Sequence, residues 1–245
     1  MTNHQRDRRR SGVGGEAVKT VYKLTSATLT THGGYQWIVG EWRETHGTGD
    51  LCSAGWLHWY SDPLLAVLLD PIHANLGPTA RLWEAEADGE CRDDCGIKGV
   101  STRLRLVREL PLPCVTPEQR VRFGILCAQA VVGNHCPAWS AWADRWLSGE
   151  DRSVEAAWAA WAAWAAWTVT AWTVTARAAA AGAAAAETAA WTVTARAAAA
   201  GAAAAETAAW VAAAETAAAW AAAWAARAAA TPLDLPALAR RAVEP

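Results

Sequence analysis

Alternating apolar and polar positions mark two strands in the first half of the chain. Residues 80–87 read ARLWEAEA and residues 100–107 read VSTRLRLV, so apolar side chains alternate with glutamates in one and with arginines in the other. A period of two is typical of a strand with one buried face. We therefore predict two strands joined by a long loop over residues 89–99, with acidic and basic residues able to pair across the sheet.

Two shorter apolar runs predict further strands at Val21–Leu24 and Gln36–Val39. The second run lies between Gly33-Gly34 and Gly40, which fits a strand bounded by turns. Together with the two alternating segments, these runs predict a small sheet before residue 112.

Helix starts are recognisable where a polar residue precedes proline. Asp62-Pro63 and Thr116-Pro117 each offer an N-cap side chain and a proline at the first helical position. We predict that the first helix ends before Asp70-Pro71, because a proline inside a helix removes a backbone donor. The second helix is predicted to reach about Val132, and a third helix is predicted over residues 137–147.

The last third of the chain is dominated by alanine and tryptophan. Alanine fills 45 of the 75 positions from 156 to 230, and a 19-residue unit that begins at Trp172 recurs unchanged from Trp191. Because alanine has the highest helix propensity, this region is predicted to be helical. Gly182 and Gly201 interrupt it, so we expect two to four helical segments that serve as a scaffold.

These patterns predict an α+β N-terminal domain followed by an all-α Ala/Trp-rich helical region. The predicted segments are a disordered basic N-terminus, a small α+β domain, a helical connector, the Ala/Trp-rich repeat helices, and a short C-terminal helix with a tail. Their boundaries are residues 1–16, 17–112, 113–150, 151–230 and 231–245, respectively.

The charge and cysteine content narrow the class of protein. A formal net charge of −2 gives no general attraction to nucleic acid or anionic membranes. The basic residues within positions 6–10 are interpreted as part of a disordered, solvated terminus, and the alternative is an arm that binds nucleic acid electrostatically. No apolar segment follows them, so we expect no secretory signal. Six cysteines then indicate free thiols in a cytoplasmic protein.

Sequence motifs for catalysis or metal binding are sparse. Cys91 and Cys95 are the closest pair of cysteines and are the candidates for metal ligands, although a zinc site usually needs two such pairs. Cys52 lies six residues before His58 and is a weak candidate for a Cys/His nucleophile. The sequence contains no Gly-Lys-Ser/Thr phosphate loop and no Gly-x-Ser-x-Gly elbow, and we expect no cofactor.

Two stretches resemble known families. The succession of Val21-Tyr22-Lys23, residues 51–58 (LCSAGWLH) and residues 81–89 (RLWEAEADG) resembles a small domain of uncharacterised phage and prophage proteins. Residues 120–164 are similar to the Ala-rich helical region of proteins of the immunity-protein type in phage and bacterial genomes. The resemblances imply an accessory protein of phage, prophage or mobile-element type, without an established activity.

A fold-level analogy concerns ADP-ribosyltransferase-like domains. Those domains place an aromatic residue or histidine on the first strand, a serine in a turn that opens a helix, and an acidic residue on a later strand. Tyr22, Ser61 and Glu84 or Glu86 are the counterparts, although Lys23 follows Tyr22 where those domains have arginine or histidine. The analogy implies, as an alternative function, an enzyme that uses NAD.

The leading expectation is a non-enzymatic interaction protein. His58, Trp59 and Tyr60 form a predicted turn whose aromatic side chains would anchor a partner, and the alternative is that the aromatic residues pack in the core. The tryptophans of the Ala/Trp helices are expected to be buried against the first domain, against each other or against another chain. These helices therefore pack within the chain, bind a protein partner or self-associate. The uncharged run Ala156–Ala176 is long enough to span a bilayer and gives a third alternative, membrane association, although alanine is only marginally apolar.

Overall fold

The computed structural model describes residues 18–132, 136–153, 155–157, 159–160, 204–229 and 231–244. Within these ranges the named strands and helices are β1 Lys19–Thr25, β2 Thr30–Thr31, β3 Tyr35–Gln36, β4 Arg43–Glu44, β5 Leu57–Trp59, α1 Pro63–His73, β6 Arg81–Asp94, β7 Lys98–Leu110, α2 Pro117–Val132, α3 Pro137–Ser148, α4 Ala204–Ala228 and α5 Leu235–Val243.

The main sheet is antiparallel and is built on two long strands. β6 pairs with β1 on one side and with β7 on the other. The far side of β7 pairs with two short strands at different points, because β4 lies opposite Arg103–Leu104 and β5 lies opposite Gly99–Ser101. β2 and β3 form a separate two-stranded hairpin.

The alternating patterns of the two long strands are confirmed by their packing. Ala85 and Ala87 are fully buried, whereas Glu84 and Glu86 lie on the opposite, partly exposed face. The predicted pairing of acidic and basic residues across the sheet is also confirmed. It consists of four ion pairs: Arg81–Glu109, Glu84–Arg108, Glu86–Arg105 and Asp88–Arg103. Exposed pairs of this kind contribute about 0.5 kcal/mol each, so they add little to stability.

The prediction of a long loop over residues 89–99 is wrong. β6 continues to Asp94, and the backbone N–H of Ile97 donates to the oxygen of Asp94 at 2.9 Å to close a tight turn. Cys95 and Gly96, at the centre of the turn, have φ angles of 53° and 75°. Two consecutive positive φ angles are the pattern of a type I′ turn, which matches the twist of a hairpin. Cysteine is not among the usual residues at such a position, so the local sequence carries little sign of the turn.

The prediction of a strand over Gln36–Val39 is confirmed only at its first residue, where β3 ends. The last two residues of the run are exposed. Trp37 is 1% exposed, and its backbone N–H donates to the oxygen of Leu29 at 2.8 Å, outside any strand. The apolar pattern therefore reflects one buried tryptophan rather than a strand face.

The predicted helix starts are confirmed by their capping geometry. Asp62 Oδ1 accepts a hydrogen bond from the backbone N–H of Leu64 at 2.8 Å. Thr116 and Gln119 form a capping box at the start of α2, because each backbone N–H donates to the other side chain, at 2.9 and 3.2 Å. α3 is followed by Gly149 at a φ of 82°, the usual left-handed end of a helix.

The predicted end of α1 before Asp70 is wrong, because the helix passes through Pro71 and ends at His73. Pro71 leaves the carbonyl oxygen of Val67, four residues earlier, without its helical donor. The Nη1 of Arg120, on α2, donates to that oxygen at 2.7 Å. A tertiary contact thus supplies the hydrogen bond that the proline removes.

The C-terminal helices share a hydrophobic core with the N-terminal half. Leu24 of β1, Leu65 of α1, Phe123 of α2 and Leu235 of α5 belong to one buried cluster, which also contains alanines of α4. A second cluster joins the three tryptophans of α3 to α2 and α4. An antiparallel sheet followed by packed helices confirms the α+β class of the N-terminal part, whereas the predicted domain boundaries stay predictions.

α4 belongs to the predicted Ala/Trp helical region. Its alanines allow a close approach to α2, where a Cβ atom on Gly124 would lie 2.9 Å from the backbone oxygen of Ala218. Residues 161–203, which include both repeat starts, fall outside the described residues, so the predicted number of helical segments stays a prediction. No helix in the described ranges has the length and apolarity needed to cross a bilayer.

Candidate functional site

A cavity of about 720 Å³ lies beside the C-terminal part of β1, strand β5, the last turn of α1 and α4. Its wall combines basic, aromatic and thiol side chains. Those that matter for its chemistry are Lys23, Tyr35, Trp37, Cys52, Trp56, His58, Tyr60, Asp70, His73, Lys98, Trp220 and Arg227.

Lys23 is a buried amine on the cavity wall. It is 9% exposed, and its Nζ donates to the backbone oxygen of His58 at 2.7 Å and lies 5.3 Å from the centroid of the Trp37 ring. Burial, and then the charge of Lys98, lower the pKa of the Lys23 amine to about 8. Near neutral pH, on the order of a tenth of this amine is therefore uncharged, far more than for an ordinary lysine.

Lys98 is the second buried amine of the cavity. It is 7% exposed, and its Nζ donates to the Sγ of Cys52 at 3.0 Å. Cys52 is an exposed free thiol. The structure therefore pairs this cysteine with Lys98, and not with His58 as the Cys/His hypothesis required.

His58 is held by a loop that covers part of the cavity. Its Nε2 lies 2.6 Å from the carbonyl oxygen of Leu51, and that nitrogen must carry the proton because the carbonyl can only accept. Burial, followed by the charge of Lys23, lowers the pKa of His58 to about 4. His58 is thus a neutral ring at physiological pH.

Tyr60 and His73 join β5 to the C-terminal end of α1. The Tyr60 hydroxyl and the His73 Nδ1 are 2.7 Å apart. Burial raises the pKa of the Tyr60 phenol, and burial followed by the charge of Lys98 lowers the pKa of His73 to about 3. Both groups are therefore neutral at physiological pH and add hydrogen-bonding capacity without charge.

Two carboxylates, Asp70 on the cavity wall and Asp94 beside the lining residue Arg227, are engaged by other groups. Asp70 accepts hydrogen bonds from two backbone N–H groups of the following loop, each at 3.2 Å, and burial raises its pKa. Asp94 forms an ion pair with Arg227 at 2.7 Å. In the part of the chain that the structure describes, no carboxylate forms an ion pair with Lys23 or Lys98. The polar wall is therefore basic.

The residues suggested by the ADP-ribosyltransferase analogy lie away from the cavity wall. Tyr22 is half-buried, and its backbone exchanges two hydrogen bonds of 2.8 Å with Tyr60. Ser61 is exposed, and Glu86 is ion-paired with Arg105 at 2.6 Å. The described residues that line the cavity do not include Tyr22, Ser61 or Glu86.

The turn suggested as a partner-binding face is mostly buried. Trp59 and Tyr60 are each 7% exposed, so their rings pack inside the protein. His58 and Tyr60 line the cavity, whereas Trp59 packs against β7 next to Gly99. His58 and Tyr60 therefore face a cavity large enough for a small molecule, and Trp59 does not.

The weak metal candidates are placed on the β6–β7 hairpin. Cys91 lies within β6, and Cys95 lies in the turn that follows it. No group of three or more histidine, cysteine, aspartate and glutamate residues in the described ranges is arranged to hold a metal ion.

Sequence reasoning missed the basic character of this site. The chain has three lysines, Lys19, Lys23 and Lys98, and the last two meet at one cavity although 75 positions separate them. One signal was present, since Lys23 is two residues from Val21 and therefore lies on the same face of the predicted strand as that apolar residue. No local signal linked it to Lys98 or to His73.

Comparison with known proteins finds a similarity to one family over part of the chain. Residues 19–117, which contain the sheet, α1 and much of the cavity wall, match a family described as a domain of unknown function, DUF7666. No curated protein and no solved structure matches the chain. The matched segment ends at the first residue of α2, so Trp220 and Arg227 join the cavity wall from outside it.

Proposed function

We propose that the protein binds a small organic anion in the basic cavity, whose wall comes mainly from the N-terminal domain, and that it is an accessory factor whose helices connect this domain to a partner. The observation that carries the proposal is that Lys23 and Lys98 are both buried at one cavity without a carboxylate partner in the described part of the chain.

The energetics favour an anionic ligand over a neutral one. A buried ammonium group is costly unless it is paired, and the side-chain amines donate to a backbone oxygen in the case of Lys23 and to a sulfur atom in the case of Lys98. A carboxylate or phosphate in the cavity would supply the missing counter-charge. The ion pair formed would be shielded from solvent and would therefore be stronger than one at the surface.

The size and walls of the cavity suit a metabolite with an apolar or aromatic body. About 720 Å³ lies within the range of small-molecule sites, roughly 300–1,000 Å³. Tyr35, Trp37 and Trp56 supply flat apolar surface, while neutral His58 and His73 supply hydrogen-bonding groups. Such a wall recognises shape and polarity in addition to charge.

Calorimetric titration of the full chain tests the proposal. The probes are succinate and adenosine monophosphate, each compared with its uncharged counterpart, succinamide and adenosine. We expect binding of at least one anion, no binding of its counterpart, and a loss of about tenfold or more in affinity in Lys98→Met. Lys19→Met, at an exposed position, is the matched control. Equal binding of charged and uncharged probes would contradict the proposal.

The remaining parts of the accessory role are proposals that rest on the sequence. The phage or prophage origin and the immunity-type helical region rest on resemblance alone. Self-association or partner binding through the Ala/Trp helices rests on the need to bury their tryptophans. Light scattering on the full chain and on Trp220→Ala, whose tryptophan is 39% exposed, tests self-association. A cytoplasmic location agrees with six free cysteines.

The two alternative functions, an NAD-using enzyme and membrane association, can each be tested separately. The NAD-using enzyme is supported by the placement of Tyr22 directly opposite Glu84 on paired strands. Incubation with labelled NAD should give no turnover if the accessory role is correct, and turnover that is lost in Glu84→Gln would favour the enzyme. Membrane association rests on Ala156–Ala176, most of which lies outside the described residues, and recovery of the protein without detergent would argue against it.

A further inference from the structure

Lys23 combines two properties that rarely occur together in a lysine. Its amine is buried at a cavity wall, and a second buried amine, that of Lys98, lies at the same cavity. Water and carboxylates, which normally keep a lysine charged, are largely replaced by the backbone oxygen of His58 and the face of Trp37. The amine of Lys23 is therefore not equivalent to that of a surface lysine.

Because burial and Lys98 lower the pKa of Lys23 to about 8, on the order of a tenth of the amine holds a free electron pair near neutral pH, against well under a hundredth for an ordinary lysine. Desolvation and a neighbouring cation are the two arrangements that convert a lysine into a nucleophile for carbonyl groups. Both are present at Lys23, whereas Lys19, on the same strand, is exposed.

We propose that Lys23 forms an imine with the carbonyl group of an aldehyde acid or keto acid whose anionic group is bound by Lys98, an inference that rests on the proposed anion site. The electron pair of the neutral Nζ attacks the carbonyl carbon, and a C–N bond forms as the carbonyl π pair moves to oxygen. The two amine protons then leave with that oxygen as water. One amine and one carbonyl therefore give one imine and one water, and no oxidant or reductant is needed.

The division of roles between the two lysines follows from their contacts. Lys98 donates to the Sγ of Cys52 at 3.0 Å, so its side chain is directed to the side of the cavity that carries this thiol, and we assign it the anion. The Nζ of Lys23 donates to a single backbone oxygen and lies over the face of the Trp37 ring, 5.3 Å from its centroid. Both lysines line the same cavity, which is why the proposed ligand carries a carboxylate for one and a carbonyl group for the other.

Chemical trapping on the full chain tests the proposal. The protein is incubated with glyoxylate and cyanoborohydride at pH 7, which reduces any imine to a stable secondary amine, and the modified lysines are located by peptide mass spectrometry. We expect Lys23 to be modified roughly tenfold faster than exposed Lys19. We also expect slower trapping in Lys98→Met. In Lys23→Met, the adduct at this position should be absent. Modification confined to Lys19 and the terminal amine would overturn the proposal.

Two further probes separate this inference from the anion site on which it rests. Acetaldehyde has the carbonyl but no charge, and glycolate has the charge but no carbonyl. If glycolate binds the protein but glyoxylate is never trapped at Lys23, the imine is refuted and the anion site stands. If acetaldehyde modifies Lys23 as fast as glyoxylate does, the nucleophile stands and the role of Lys98 in binding the anion is refuted.

Discussion

The guanidinium of Arg120 donates to the carbonyl oxygen of Val67 at 2.7 Å, at the position where Pro71 leaves a helical acceptor without its donor. The contact joins α2 to α1 across 53 positions of the chain. It allows α1 to continue to His73, which lines the cavity and bonds to Tyr60. A helix that ended before Asp70, as its sequence suggested, would not place His73 there in the same way.

Because both residues act on the carbonyl oxygen of Val67, the effects of substituting Arg120 and Pro71 on the free energy of unfolding should not be additive. Arg120→Met should destabilise the protein by about 2 kcal/mol, because it leaves the buried oxygen of Val67 unsatisfied. In a Pro71→Ala background the new backbone N–H can bond to that oxygen, so the same substitution should cost less. Urea unfolding of the four variants measures the coupling, which should be about 1 kcal/mol. Additive effects would show that the cost comes instead from the 3.4 Å ion pair of Arg120 with Glu215.

Lys23 should make the stability depend on pH on the alkaline side. The pKa of its amine falls from 10.5 in the unfolded chain to about 8 in the folded protein, so between these values the unfolded chain binds more protons. The free energy of unfolding contributed by Lys23 therefore rises with pH from about 8 to 10.5.

Lys23→Met removes this dependence. The variant should be more stable than the original protein at pH 7, by up to about 3 kcal/mol, and the difference should vanish above pH 10.5. Chemical unfolding followed by circular dichroism at pH 7, 9 and 10.5 measures it. Lys19→Met should show no such trend, and a difference independent of pH would contradict the buried titration of Lys23.

His58 should make the protein sensitive to acid. The pKa of its ring is lowered from 6.5 to about 4 in the folded protein, so the unfolded chain binds more protons between these values. Stability is then complete above pH 6.5 and is lost as the pH falls toward 4, by about 2 kcal/mol after allowance for the partial exposure of the ring.

His58→Asn keeps a side-chain donor for the oxygen of Leu51 and does not titrate. In this variant we expect the loss of stability between pH 6.5 and 4 to be smaller by about 2 kcal/mol, which is measured from the shift in the urea midpoint. An unchanged acid dependence would place the responsible titration at other groups, such as His73.

Gly124 should control the approach of α4 to α2. A side chain at this position would meet the backbone of Ala218, since even a Cβ atom would lie 2.9 Å from its oxygen. Gly124→Leu should destabilise the protein by about 3 kcal/mol through overpacking. Ala130→Leu, at an exposed position of the same helix, should have little effect. Equal unfolding midpoints for the two variants would show that α4 is not held against α2.

The local elements of the N-terminal half could be predicted because their causes are local. The period of two in residues 80–87 and 100–107 follows from which face of a strand is buried, and the helix starts at Asp62 and Thr116 follow from a side chain that caps its own helix. The pairing of glutamates with arginines across the sheet follows from the same alternation. None of these features needs contact with a distant part of the chain.

By itself, then, the sequence determined the strands, the helix starts and the ion-paired face of the sheet. The tertiary structure decided where α1 ends, because Arg120 satisfies an acceptor 53 positions away, and it decided the turn at Cys95–Gly96, because hairpin twist overrides the low preference of cysteine for positive φ. It also decided the site. Lys23 and Lys98 become a pair of buried amines only when the two strands that carry them line one cavity. The lowered pKa of Lys23 depends on burial and on the charge of Lys98, so the sequence around either lysine cannot reveal it.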